Sequence, residues 1–94
     1  MNAHLAEDEI RLAGVYPNPF SVNTMISFML DHSSSVSIRV YDMNGQLLKT
    51  LVDGEMDEGE HELNWNASDV NAGIYFLQFQ SEEHLQMVKL IVTK

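Results

Sequence analysis

Apolar residues recur at every second position along most of this chain, and no stretch sustains helical spacing, so the elements it predicts are β-strands. The first spans Ile10 to Val15 and is closed by Tyr16-Pro17-Asn18-Pro19-Phe20. Two prolines at alternate positions fix φ and remove backbone donors, which predicts an extended corner at a sheet edge. Thr24 to Leu30 follows, with Ile26, Phe28 and Leu30 on one face and Met25 and Met29 on the other. Asp31 to Ser34 reads as a polar turn. Val36, Ile38 and Val40 then alternate with Ser37, Arg39 and Tyr41, a strand with one buried face.

That strand runs into Asn44-Gly45, a strong hairpin signal because both residues tolerate positive φ. Leu47 to Val52 returns. A two-residue loop pairs Val40 with Lys49, and a three-residue loop pairs it with Leu48. The second puts Val36, Ile38 and Val40 on one face with Leu48 and Val52 and is favoured here, with register left open. Asp53 to Gly59 reads as an acidic connection, after which His61, Leu63 and Trp65 alternate with Glu62, Asn64 and Asn66. Asn66 to Ala72 is a loop, and Gly73 opens the strand Ile74 to Gln80. The turn Ser81 to His84 leads into a last strand, Leu85 to Thr93. About seven short antiparallel strands with frequent turns predict an all-β chain folded as an immunoglobulin-like β-sandwich. Residues 10–94 form the domain, and residues 1–9 read as a disordered junction or an expression remnant.

Charge narrows the function classes. Fourteen carboxylates against five cations give a formal charge of −9, which repels phosphate backbones and anionic lipid. Neither nucleic-acid binding nor membrane insertion is expected, since no apolar run approaches the ~20 residues of a transmembrane helix. The polar, acidic start lacks the regions of a signal peptide, so an export signal would have to come from something joined to the chain. Without cysteine there is no disulfide framework and no thiolate metal site.

Candidate chemistry is sparse. Six carboxylates fall between Asp53 and Glu62, as a calcium loop would require, but Glu58 stands where an EF-hand needs glycine. A solvated acidic connection is the favoured reading. His4, His32, His61 and His84 lie in different segments without metal-ligand spacing. Ser33 to Ser35 sits in a turn with no nucleophile elbow, and every carboxylate lies in a polar stretch that would not raise its pKa. No enzyme activity and no cofactor are expected. Trp65 and Tyr75 suit either a sugar-stacking platform or the core, and a lone tryptophan on an alternating strand favours the core.

Several segments together resemble a known family. These are Tyr16-Pro17-Asn18-Pro19-Phe20, Thr24-x-Ile26-x-Phe28-x-Leu30 and Val36-x-Ile38-x-Val40-Tyr41-Asp42-x-x-Gly45. Gly59-x-His61-x-Leu63-x-Trp65, Ala72-Gly73-Ile74-Tyr75-Phe76 and Lys89-Leu90-Ile91-Val92-Thr93-Lys94 continue the likeness. In order and spacing they resemble the type IX secretion C-terminal sorting domain across residues 10–94. The resemblance implies a non-catalytic address at the end of a larger carrier protein. Such a carrier crosses to the periplasm by its own signal peptide and passes the outer-membrane translocon. A sortase then removes the domain and anchors the carrier at the cell surface, or the carrier is released.

The terminal strand runs to the end of the chain, so nothing is expected to cover its end. Lys89, Leu90, Ile91, Val92 and Lys94 are therefore the candidate partner-binding residues, by strand addition with local positive charge. Lysines that merely discourage edge aggregation are the alternative. Pro17, Asn18, Pro19, Gly45, Gly73 and Tyr75 are expected to shape the domain rather than touch a ligand. Sheet edges can also pair between copies, giving a weak homodimer. Two other functions are the alternatives: a structural domain of the flagellar hook-capping type and a carbohydrate-binding accessory β-sandwich of an extracellular enzyme.

Overall fold

In a computed structural model that describes residues 10–81 and 84–94, the alternation becomes seven strands. They are β1 (Ile10–Tyr16), β2 (Asn23–Leu30), β3 (Ser34–Tyr41), β4 (Leu47–Met56), β5 (Gly59–Asn66), β6 (Gly73–Gln80) and β7 (Leu85–Val92). The proposed junction at residues 1–9 lies outside the described residues, as do Glu82 and Glu83 of the last turn. All pairings are antiparallel within two sheets, β1-β2-β5 and β4-β3-β6-β7. The chain crosses between them at 31–33, 57–58 and 67–72. The fold is thus the all-β sandwich that the periodicity predicts.

The strands pair as they do because their apolar faces need each other. Thr24, Ile26, Phe28 and Leu30 of β2 sit opposite Trp65, Leu63, His61 and Gly59 of β5. Across the interface they meet Val36, Ile38 and Val40 of β3, Tyr75, Leu77 and Phe79 of β6, and Leu90 and Val92 of β7. Phe28 and Phe79 join the sheets edge to face with centroids 5.6 Å apart. Each large side chain buried here contributes about 1.5–3 kcal/mol.

Two expectations need correction in the β3–β4 hairpin. The loop does span Met43, Asn44 and Gly45: Asp42 pairs with Gln46, and Gly45, at φ 82°, donates to the Asp42 carbonyl. Yet Val40 faces Lys49 and not Leu48, because a bulge lies between the Val40 and Tyr41 pairs and a second one between Ile38 and Arg39. Each bulge leaves one extra residue on β4, Leu48 and Leu51, and so shifts the register by one, which the apolar pattern alone does not report. Secondly, Asp53 to Met56 is strand and not connection; only 57–58 link β4 to β5. Gly54 lies opposite Val36 and Met56 opposite Ser34, while exposed Asp53 and Glu55 alternate with them. Carboxylates on the solvent side of an edge strand cost little.

The sandwich has two unlike ends. One carries the segment 17–22, the β3–β4 loop and the 67–72 loop, and is called the corner end below. The other carries the turns at 31–33 and 57–58, the start of β1 and the β6–β7 connection, and is called the acidic end.

Candidate functional site

The proline corner folds back onto the last strand. Pro17 and Pro19 supply no backbone donor, and both proline peptide bonds are cis. Thr24, which is buried, donates its hydroxyl to the Pro17 carbonyl at 2.6 Å. The Asn18 side chain then takes the place of a peptide group beside β7. Its Nδ2 donates to the Lys89 carbonyl, and its Oδ1 accepts from the Ile91 N–H, both at 3.0 Å. Two residues on, the Phe20 N–H donates to the Ile91 carbonyl at 3.0 Å, and the Thr93 N–H donates to the Phe20 carbonyl at 2.8 Å. Phe20 and Val92 form a parallel bridge. The expectation that the end of the terminal strand lies uncovered is therefore overturned: the edge from Lys89 to Thr93 is occupied from within the chain.

An aromatic cluster anchors this corner. The Phe20 ring packs edge to face on Trp65 at 5.7 Å, and Trp65 on Tyr75 at 5.9 Å. Trp65 is 2% exposed and Tyr75 8%, so both belong to the core and offer no flat platform for a sugar. The Tyr75 hydroxyl donates to the Asn71 carbonyl at 2.6 Å. A tyrosine near the start of the sixth strand that bonds to backbone a few residues upstream is the tyrosine corner of immunoglobulin-like sandwiches.

The five terminal residues named from the sequence have different surroundings. Leu90 and Val92 point into the core, and Ile91 is half-buried with both backbone groups held by the corner. The Lys94 ammonium turns to the 67–72 loop, donating to the carbonyls of Ala67 (2.9 Å), Ser68 (3.3 Å) and Val70. Lys89 keeps an exposed side chain, although its carbonyl is bonded to Asn18. Of the motif residues, Pro17, Asn18 and Pro19 form the corner, Gly45 the hairpin and Tyr75 the tyrosine bond, while Gly73 opens β6 opposite Val92.

Elsewhere the geometry is structural. His61 stacks on Phe28 at 5.3 Å, and its Nε2 lies 2.7 Å from the Asp57 carbonyl. A carbonyl only accepts, so that nitrogen carries the proton. Among the described residues no group of three histidine, aspartate or glutamate side chains converges to hold a metal. Arg11 pairs with Asp31 at 2.8 Å on the surface.

Two facing antiparallel sheets, closed at one end by a proline corner and a tyrosine corner, define an immunoglobulin-like β-sandwich. The chain belongs to the type IX secretion C-terminal sorting domain family: the model described as a secretion system C-terminal sorting domain matches residues 14–93. A comparison with curated proteins finds no match.

Among solved structures the chain is similar to part of PorZ, an essential bacterial surface component of the type IX secretion system of Porphyromonas gingivalis. The TM-score is 0.62 at 21% identity, covering 94% of this chain and 12% of PorZ. It is also similar to the C-terminal domain of Wzt, with a TM-score of 0.47, 17% identity, and coverage of 90% of this chain and 70% of that one. The PorZ likeness supports the sandwich fold. The family match carries the role, that of a C-terminal sorting domain in type IX secretion, which implies a carrier protein, a secretion machinery and a destination at the cell surface or beyond it.

Proposed function

We propose that this domain is the address by which a covalently attached N-terminal carrier is led from the periplasm through the outer-membrane translocon, and that a sortase then cleaves the domain from the carrier. The domain performs no catalysis itself and acts as a substrate of that machinery. The observation that carries this reading is the sorting-domain match across residues 14–93. The same match displaces the hook-capping alternative, and the burial of Trp65 at 2% exposure removes the basis of the carbohydrate-binding one.

Within this reading the five terminal residues divide their work. Lys89 presents its side chain to the machinery. Leu90 and Val92 fix the strand in the core, Ile91 holds the corner against it, and Lys94 ties down the 67–72 loop. Edge pairing between copies would give at most a weak homodimer, because each chain carries a charge of −9.

The test joins a signal peptide and a fluorescent reporter to the N-terminus of the whole chain, in a bacterium with a working type IX system. Fluorescence at the surface or in the medium, lost in a strain without the translocon, is the expected result. A folded reporter held in the periplasm of both strains would sink the sorting function.

A further inference from the structure

The four sheet edges of this sandwich are not equally protected. β1 is bulged between Leu12 and Gly14. β5 lines its solvent face with Glu60, Glu62, Asn64 and Asn66. β4 carries two bulges together with Lys49, Asp53 and Glu55. Bulges and charges are the usual devices that keep an edge from pairing with another chain. β7 has no bulge and a single charge: it pairs with β6 over eight consecutive positions without a shift, and Lys89 is its one charged residue.

The corner covers only the far half of β7. Its bonds go to the Lys89 carbonyl, the Ile91 N–H and carbonyl, and the Thr93 N–H. These are odd-numbered residues, so strand alternation directs the backbone groups of Leu85 and Met87, and the Lys89 N–H, to the same open side. Among the described residues none pairs with them there. The side chains at this stretch are apolar and bare, with Leu85 62% and Met87 50% exposed.

We propose that the edge from Leu85 to Lys89 is a docking site for one short extended segment of a partner protein, which adds as a fifth strand to β4-β3-β6-β7. Asn18 sets the upper limit of the site, because an incoming strand that passes Lys89 meets its amide. The partner segment carries apolar side chains over Leu85 and Met87 and a carboxylate beside Lys89. Charge argues against a second copy as the occupant. A two-fold antiparallel pairing about Met87 would set Lys89 against the Leu85 of the other copy, an apolar residue. It would also bring together two chains of −9 each. Placing the partner within the secretion machinery rests on the sorting function; the docking edge itself stands on the geometry.

Met87→Pro tests the edge cleanly. Its N–H points away from β6, so proline removes a docking donor without breaking a sheet bond, as proline is tolerated on edge strands. In the reporter fusion, Met87→Pro should lower export at least tenfold while the purified domain melts within a few degrees of the parent. Met87→Thr, which keeps the N–H, should export normally. In parallel, a synthetic peptide alternating valine and threonine with one glutamate should slow hydrogen exchange at the Met87 and Lys89 amides, and not at Lys49 or Thr50 of β4.

Normal export of a folded Met87→Pro fusion would overturn the docking site and leave the sorting function standing. Retention of the parent fusion, with the peptide still protecting β7, would do the reverse. A peptide that protects no β7 amide also overturns the site. A concentration-dependent dimer that Met87→Pro abolishes would replace the partner segment with a second copy.

Discussion

The corner end and the acidic end of the sandwich are built on opposite principles. At the corner end, polar side chains are spent on backbone: Asn18 on β7, Thr24 on Pro17, Tyr75 on Asn71, and Lys94 on three carbonyls of the 67–72 loop. Asp42 likewise accepts from the Asn44 and Gln46 N–H groups at 2.8 and 2.9 Å, and Asn66 from that of Ser68 at 2.8 Å. At the acidic end, Asp31, Asp57, Glu58 and Glu60 gather around short turns. Among the described residues the bonds there include Arg11 to Asp31, His61 to the Asp57 carbonyl, the Ser34 hydroxyl to the His32 carbonyl and the Ser81 N–H to the His84 carbonyl. Loops whose backbone groups are bonded by side chains hold one shape, whereas clustered like charges only stay in water. The difference marks the corner end as the part that fixes the domain's form.

The strongest way to break the comparison is to remove the anchor of the corner end. Trp65 lies between Phe20 and Tyr75, so Trp65→Ala empties the cluster on which the corner rests. Large aromatic truncations in a core cost about 3–5 kcal/mol. A domain of this size has roughly 5–10 kcal/mol in all. Urea unfolding should therefore show the midpoint fall by about a third or more. A loss below about 1 kcal/mol would mean that the cluster is not what holds this end.

Much of this fold was legible in the chain, and the exceptions share a cause. Period-two alternation disclosed β2, β3, β6 and β7, because each buries one face against the opposite sheet. It also placed Trp65 in the core. The second half of β4 was hidden because Asp53 and Glu55 outweigh Gly54 and Met56 in any reading by polarity. The register of the β3–β4 hairpin depended on two bulges, which leave no mark in the apolar pattern.

The candidate site was legible in its members and not in its contacts. Asn18 and the terminal strand were both singled out. Nothing in the order of residues joins Asn18 to Lys89, 71 positions away, or turns the Lys94 ammonium onto a loop 24 to 27 positions upstream. Such pairings exist only once the sheets have packed.

A smaller effect sharpens the comparison at its polar part. Asn18→Ala deletes the donor to Lys89 and the acceptor for Ile91, two exposed hydrogen bonds worth about 1–2 kcal/mol together. Hydrogen exchange should quicken at Ile91 and Thr93 and stay unchanged at Arg39, in the middle of the sheet. Asn18→Asp keeps the acceptor but sets a carboxylate against the Lys89 carbonyl, so it should lose at least as much. Stability equal to the parent in both variants would show that Phe20 alone seats the corner.

The acidic end should respond least and in the opposite direction. Asp57 and Glu58 form the whole link between β4 and β5, with Glu55 and Glu60 close by in the strands. No cation is bonded to either side chain among the described residues, and the bond from His61 goes to the Asp57 backbone, which substitution leaves in place. Changing Asp57→Asn and Glu58→Gln together therefore removes repulsion and no contact. The expected result is a gain of a few tenths of a kcal/mol, the scale of surface charge effects. That gain should fade as salt rises, because exposed charges more than about 8 Å apart are screened at physiological ionic strength. If the double variant instead lost more than about 1 kcal/mol, independent of salt, these carboxylates would be holding structure, and the contrast between the two ends would have to be abandoned.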